Sequence, residues 1–101
     1  MYVNRDQLAE QLGFSRSDID MLLTIFCKNA ASSLLEMQQM IDENNMQGIA
    51  DAAHAIKGSA GNLKLDEIYK LAMHIETNAK NSENSDYRVS YQQLKTLLEL
   101  F

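Results

Sequence analysis

The stretch SRSDIDMLLTIFCKNAASSLLEMQQMID, residues 15–42, decides the fold. Its apolar positions are Ile19, Leu22, Leu23, Phe26, Ala30, Leu34, Met37 and Ile41, spaced three and four apart. That period belongs to a long helix with one buried stripe. Ser15, with Asp18 three residues on, is the pattern of a capping box at its start. Cys27 lies on the apolar side, so an inert buried thiol is expected rather than a nucleophile.

The same pattern extends outward in both directions. Upstream, Asn4 to Leu12 reads as a short helix: Asn4 with Gln7 suggests a capping box, Leu8 and Leu12 share a face, and Gly13 offers a C-terminal stop. Phe14 is expected to tuck against the core. Downstream, Asp42 to Asn45 is a polar turn in which Asn44 or Asn45 can cap the next helix. This third helix is predicted from Met46 to Gly61–Leu63, burying Met46, Ile49, Ala53, Ile56 and Ala60. A fourth runs from about Leu65 to Lys80 with Ile68, Leu71, Ala72, Ile75 and Ala79 inward. Residues 81–86 form a polar connector, and a fifth helix passes through Tyr87, Tyr91, Leu94, Leu98 and Phe101. There is no proline and there are only four glycines in 101 residues, so little interrupts these helices. Amphipathic helices joined by short links pack antiparallel. The expectation is an all-α, single-domain chain over residues 1–101: an antiparallel four-helix bundle with a short additional N-terminal helix.

Composition narrows the partners. The formal net charge is −5 and the pI about 4.8, which disfavours nucleic acid, whose phosphates call for a basic face. The same charge disfavours an anionic membrane surface, and no apolar run is long enough to span a bilayer. The first residues lack a secretory layout, so a cytoplasmic protein is expected. One cysteine cannot form an internal disulfide. A bundle that buries its own stripes is expected to be a monomer. Start and end positions suit a free-standing protein, though an excised end of a larger protein would look similar.

Chemistry concentrates in DAAHAIKGSAGNL, residues 51–63. At about 100° per residue, His54 falls away from the buried stripe, on the side that also carries Gln47, Asp51, Gly58 and Gly61. Lys57 lies between His54 and the apolar edge. A glycine inside a helix costs about 1 kcal/mol relative to alanine, so bare backbone at Gly58, one turn from His54, implies that something approaches closely. A neutral imidazole is a nucleophile near neutral pH. Lys57, three residues along, can bring an ammonium beside it. A histidine, an adjacent cation and a cleared path suit the transfer of a phosphoryl group.

The run His54-x-x-Lys57-Gly58-Ser59, with Asn62-Leu63 after it, resembles the signature of histidine-containing phosphotransfer (HPt) domains. Ile68, Leu71, Ile75 and Glu76 match the apolar positions and the acidic residue of that family's next helix. The resemblance implies that His54 is phosphorylated, that Lys57 supports the phosphoryl group and that Gly58 leaves room for a partner, with Gly61, Gln47 and Asp51 on the partner-binding face. It implies receiver domains as partners, one on a hybrid sensor kinase and one on a response regulator, with magnesium held only by the receiver. The chain would then be a carrier with no ATP-dependent kinase activity and no cofactor of its own. An apolar docking surface is implied too, for which Leu12, Phe14, Ala50, Gly61 and Tyr69 are candidates. The chain departs from the family pattern at Lys64, where glycine is usual, and Gly61 or Asn62 is expected to supply the turn instead.

Other motifs weigh less. His74 has no comparable context. Asp51 and His54 do not make a metal centre, which needs further inward-facing ligands. The six methionines read as core filler. Gly58-x-x-Gly61 lies mid-helix, which is wrong for an RNA-binding loop, and no Gly-rich Lys-Ser/Thr phosphate loop is present. The competing function is a bundle that binds and modulates a receiver or kinase without being phosphorylated.

Overall fold

A computed structural model describes residues 3–101. It consists of five helices: α1 (Arg5–Leu12), α2 (Arg16–Asp42), α3 (Met46–Asn62), α4 (Asp66–Lys80) and α5 (Tyr87–Leu98). There is no strand among the described residues. Neighbours in sequence pack side by side from α2 to α5, and α5 closes the ring against α2, while α1 packs on α2. This is the expected four-helix bundle with an additional N-terminal helix. At 1.5 Å per residue the 27-residue α2 is about 40 Å long, so it sets the 42 Å axis of the molecule.

The stripes read from the sequence meet in one core. Ile19, Leu23, Phe26, Ala30, Leu34, Met37 and Ile41 of α2 are buried, as are Ile49, Ala53, Ile56 and Ala60 of α3 and Ile68, Ala72, Ile75 and Ala79 of α4. Leu22, Met46, Leu71 and Cys27 are half-buried at its edge, where burial pushes the Cys27 thiol up. Phe14 departs from expectation. It is 48% exposed, lying just past the left-handed Gly13 with its backbone N–H tied back to the Ala9 carbonyl.

Helix starts follow the capping rules with one correction. Ser15 and Asp18 form a full capping box, and Asn45 and Asp86 cap α3 and α5 by accepting from Gly48 and Val89 backbone N–H groups. At α1 only half of the expected box is present: the Asn4 side chain accepts from the Gln7 backbone, without the reciprocal bond. Leu65, at the start of α4, makes no side-chain cap bond. The acidic first turn, Asp66 and Glu67, complements the helix dipole there.

Helix ends obey a rule that glycine content does not reveal. The first four helices finish with the same paired reversal. Phe14, Asn45, Leu65 and Glu83 donate to the carbonyls of Ala9, Met40, Ala60 and Asn78, while Gly13, Asn44, Lys64 and Ser82 donate to those of Glu10, Ile41, Gly61 and Ala79. The residue at each reversal is left-handed, with φ of 74° at Gly13, 53° at Asn44, 55° at Lys64 and 50° at Ser82. Lys64 therefore makes the turn itself; Gly61 and Asn62, expected to supply it, remain helical.

A lysine held left-handed carries strain of roughly 1 kcal/mol that glycine escapes. Lys64→Gly should stabilise the fold by roughly 0.5–1 kcal/mol, and Gly13→Ala should destabilise it by roughly 1 kcal/mol. Urea midpoints with an unchanged m-value are the measurement, and a lower midpoint for Lys64→Gly would contradict the assignment.

Candidate functional site

Helix α3 carries His54 on its outer wall, and α4 supplies what orients it. The two helices run antiparallel, with Gly61 against Tyr69 at one level and His54 against Glu76 at another. The His54 side chain is 66% exposed, yet its Nδ1 lies 2.6 Å from Oε2 of Glu76, a carboxylate only 4% exposed. Lys57 donates to the other oxygen, Oε1, at 2.5 Å. Lys80, one turn beyond Glu76 on α4, brings its Nζ to 3.3 Å from Oε2.

Glu76 is the one buried charged residue among those described. It sits beside Ala72, Ile75 and Ala79 on the inward side of α4. An isolated carboxylate there would carry a heavy desolvation penalty. Burial pushes the Glu76 carboxyl up, but bonds from Lys57, His54 and Lys80 outweigh it and hold the group at about 2. The carboxylate is therefore ionised at any physiological pH. An ionised carboxylate only accepts, so Nδ1 of His54 is the donor and bears the hydrogen. In the neutral ring this leaves the Nε2 lone pair as the basic, nucleophilic atom.

The other candidate residues fall into distinct settings. Lys57 shares Glu76 with His54, and its side chain is 22% exposed. Gln47 and Asp51 are exposed on the His54 side of α3 and bond each other at 2.8 Å, with no bond to His54. Gly58 is exposed, and a Cβ built on it meets nothing within 4 Å. Gly61 is also exposed, but a Cβ there would press on the Tyr69 ring at 3.3 Å, so its bareness serves α3–α4 packing. Of the apolar docking candidates, Ala50 is corrected: it is 1% exposed and belongs to the core. Leu12 and Tyr69 are half-buried, and Phe14 is exposed. Met73, three residues before Glu76 on α4, is an exposed apolar residue that the sequence pattern did not single out. His74, on α4, bonds Asn78. No group of three potential metal ligands occurs among the described residues.

Glu76 is the site member that sequence reasoning noted only through resemblance. Its signal is visible in the pattern: a glutamate at a position where the α4 period asks for an apolar residue.

A family model for the Hpt domain matches residues 21–101, and the chain belongs to the Hpt domain family. That membership implies histidine phosphotransfer in two-component signalling, as a carrier rather than a kinase. The match begins inside α2, so α1 lies outside it. No curated protein and no solved structure matched the chain. No helix among the described residues is long and apolar enough to cross a membrane.

Because the Glu76 carboxyl is depressed in the folded state, its contribution to stability is complete above the ordinary value of 4.5 and is lost as pH falls toward about 2. Acid unfolding of Glu76→Gln, monitored by circular dichroism, should have a shallower stability slope across that window than wild type. Parallel curves would show that Glu76 is not held in this way.

Proposed function

We propose that the chain is a phosphorelay intermediate that accepts a phosphoryl group on Nε2 of His54 from the phosphoaspartate of a receiver domain and passes it to a second receiver. Hybrid sensor kinases and response regulators are the proteins that would carry those receivers. The observation that supports this most is the His54–Glu76 pair: an exposed imidazole whose far nitrogen is tied to a buried, ionised carboxylate.

The chemistry asks little of the carrier. The Nε2 lone pair attacks phosphorus, the N–P bond forms, and the bond from phosphorus to the receiver's aspartyl oxygen breaks, leaving that aspartate as a carboxylate. Nε2 has no proton to lose. The ring becomes cationic as it is phosphorylated, and Glu76, accepting from Nδ1–H, lies where that charge develops. The same carboxylate fixes the tautomer and the ring plane, much as an aspartate does for a triad histidine. Phosphoryl transfer depends mainly on positioning and charge stabilisation, so the receiver, with its magnesium ion, supplies the remainder.

Gly58 fits the same reading. Nothing in the folded chain occupies the place of its missing side chain, so internal packing gives no reason for a helix breaker at this position. The reason lies outside the chain, in a partner that must bring its phosphoaspartate down to His54. Gln47 and Asp51, exposed on the same side of α3, belong to the face that partner would cover.

Incubation with a phosphorylated receiver should place one acid-labile, alkali-stable phosphate on the chain, and His54→Gln should abolish it. Phosphate retained by His54→Gln refutes the assignment, while a wild-type chain that binds receivers but takes phosphate from none of them returns the reading to a non-phosphorylated interaction module. Gly58→Ala should separate folding from function, with stability rising by roughly 0.5–1 kcal/mol and transfer slowing at least several-fold at fixed receiver concentration. Stability unchanged or lower, or transfer at the wild-type rate, would remove the clearance argument.

A further inference from the structure

Lys57 is the cation that the sequence motif places beside His54, but the geometry divides the work differently. The Lys57 ammonium is committed to Oε1 of Glu76 at 2.5 Å and its side chain is largely covered. Lys80 reaches the carboxylate from α4, bonds less tightly at 3.3 Å, and is 59% exposed. Its Nζ and the Nδ1 of His54 lie 3.3 and 2.6 Å from the same oxygen, which puts them less than about 6 Å apart. Lys80 is thus a second ammonium beside the imidazole, and the more exposed of the two.

Charge explains why a second cation matters. With the ring neutral, Glu76 cancels one lysine, and the other leaves a single positive charge under the imidazole. Without Lys80 the cluster would be neutral. An incoming phosphoryl group carries close to two negative charges, and a hydrogen-bonded ammonium is among the stronger counterparts available to it. Lysine is suited to this role as a flexible point charge that can leave one oxygen for another.

We propose that Lys80 binds the phosphoryl group on His54, swinging from Oε2 of Glu76 to the phosphoryl oxygens, while Lys57 stays on Oε1 and positions Glu76. The proposal rests on His54 being the phosphorylated residue. It also makes a distinction that the local His-x-x-Lys-Gly motif cannot, because Lys80 lies 26 residues from His54 and reaches it only through the α3–α4 pairing.

Single-turnover transfer from a phosphorylated receiver, measured across receiver concentrations, tests it on Lys80→Ala, Lys80→Arg and wild type. Lys80→Ala should lower the saturating transfer rate about tenfold, the lower end of what a hydrogen bond to a charged group contributes, and leave the half-saturating receiver concentration within twofold. Lys80→Arg should recover most of the rate. The thermal midpoint of Lys80→Ala should fall only modestly, because Lys57 and His54 still serve the buried Glu76 carboxylate. A saturating rate for Lys80→Ala within twofold of wild type overturns the role of Lys80 while leaving the carrier reading intact. A wild-type chain that takes no phosphate overturns the carrier reading itself, and the role of Lys80 falls with it. A slowed Lys80→Ala that Lys80→Arg does not rescue would also count against phosphoryl binding by charge.

Discussion

The carboxylate of Glu76, buried between α3 and α4, is the constraint on which the site depends. Ionised groups are seldom left inside a small core, because desolvation exceeds what one partner returns. Here three donors converge on two oxygens: Lys57 on one, His54 and Lys80 on the other. The arrangement is tolerable because the donors come from the rim, keeping their own contact with water while reaching inward. It makes α3 and α4 mutually dependent, since two donors stand on one helix and the acceptor on the other. The imidazole inherits the rigidity of the core although its outer edge is in solvent. An exposed histidine would otherwise sample its rotamers freely, and little of its time would be spent aimed at a partner.

A second constraint concerns where helices stop. A chain without proline and with four glycines has few obvious stops, yet four helices end in the same double reversal. Only one of the left-handed positions is glycine; asparagine, lysine and serine fill the others. Asn44 is understandable, because short polar side chains tolerate that conformation. Lys64 is the costly one, and its position matters: the turn it makes leads from α3 directly into α4, the pair that holds His54 against Glu76. The closing bond from Leu65 to Ala60, at 2.9 Å, and the burial of Leu63 and Leu65 keep the lysine in place against its own preference.

Much of this was legible from spacing alone. The stripes of α2, α3 and α4 predict most of the buried residues, because a 3.6-residue period in a chain of long helices leaves few alternatives. The side of α3 that faces water came from the same arithmetic. What stayed hidden depended on contacts between helices. Ala50 belongs to the core because α3 is covered on more than one side, a breadth that one stripe does not disclose. Phe14 lies just past the expected stop at Gly13, where the helix period no longer says which way a side chain points. Gly61 is bare for Tyr69, eight residues away on another helix. Glu76 was visible as an acid breaking an apolar pattern, but which histidine and which lysines it serves is a matter of register between α3 and α4.

The overall charge of the chain and the charge of its site have opposite signs, and distance decides which one a phosphoryl group meets. Fourteen acidic residues against nine basic ones give −5, which would repel a phosphoaspartate if all charges counted equally. Exposed charges are screened over about 8 Å at physiological ionic strength. Most of the acids that make the balance negative stand elsewhere on the surface, beside water and counterions, and several are engaged: Asp20 with Arg5 and Arg16, Asp42 with Arg88. Lys57 and Lys80 share the one buried carboxylate that His54 touches, so that cluster has a positive surplus, while Asp51, one turn away on α3, is engaged by Gln47. A carrier built in this way has only a short-range attraction for phosphate. In the proposed relay that attraction would hold the group while a receiver is seated over Gly58.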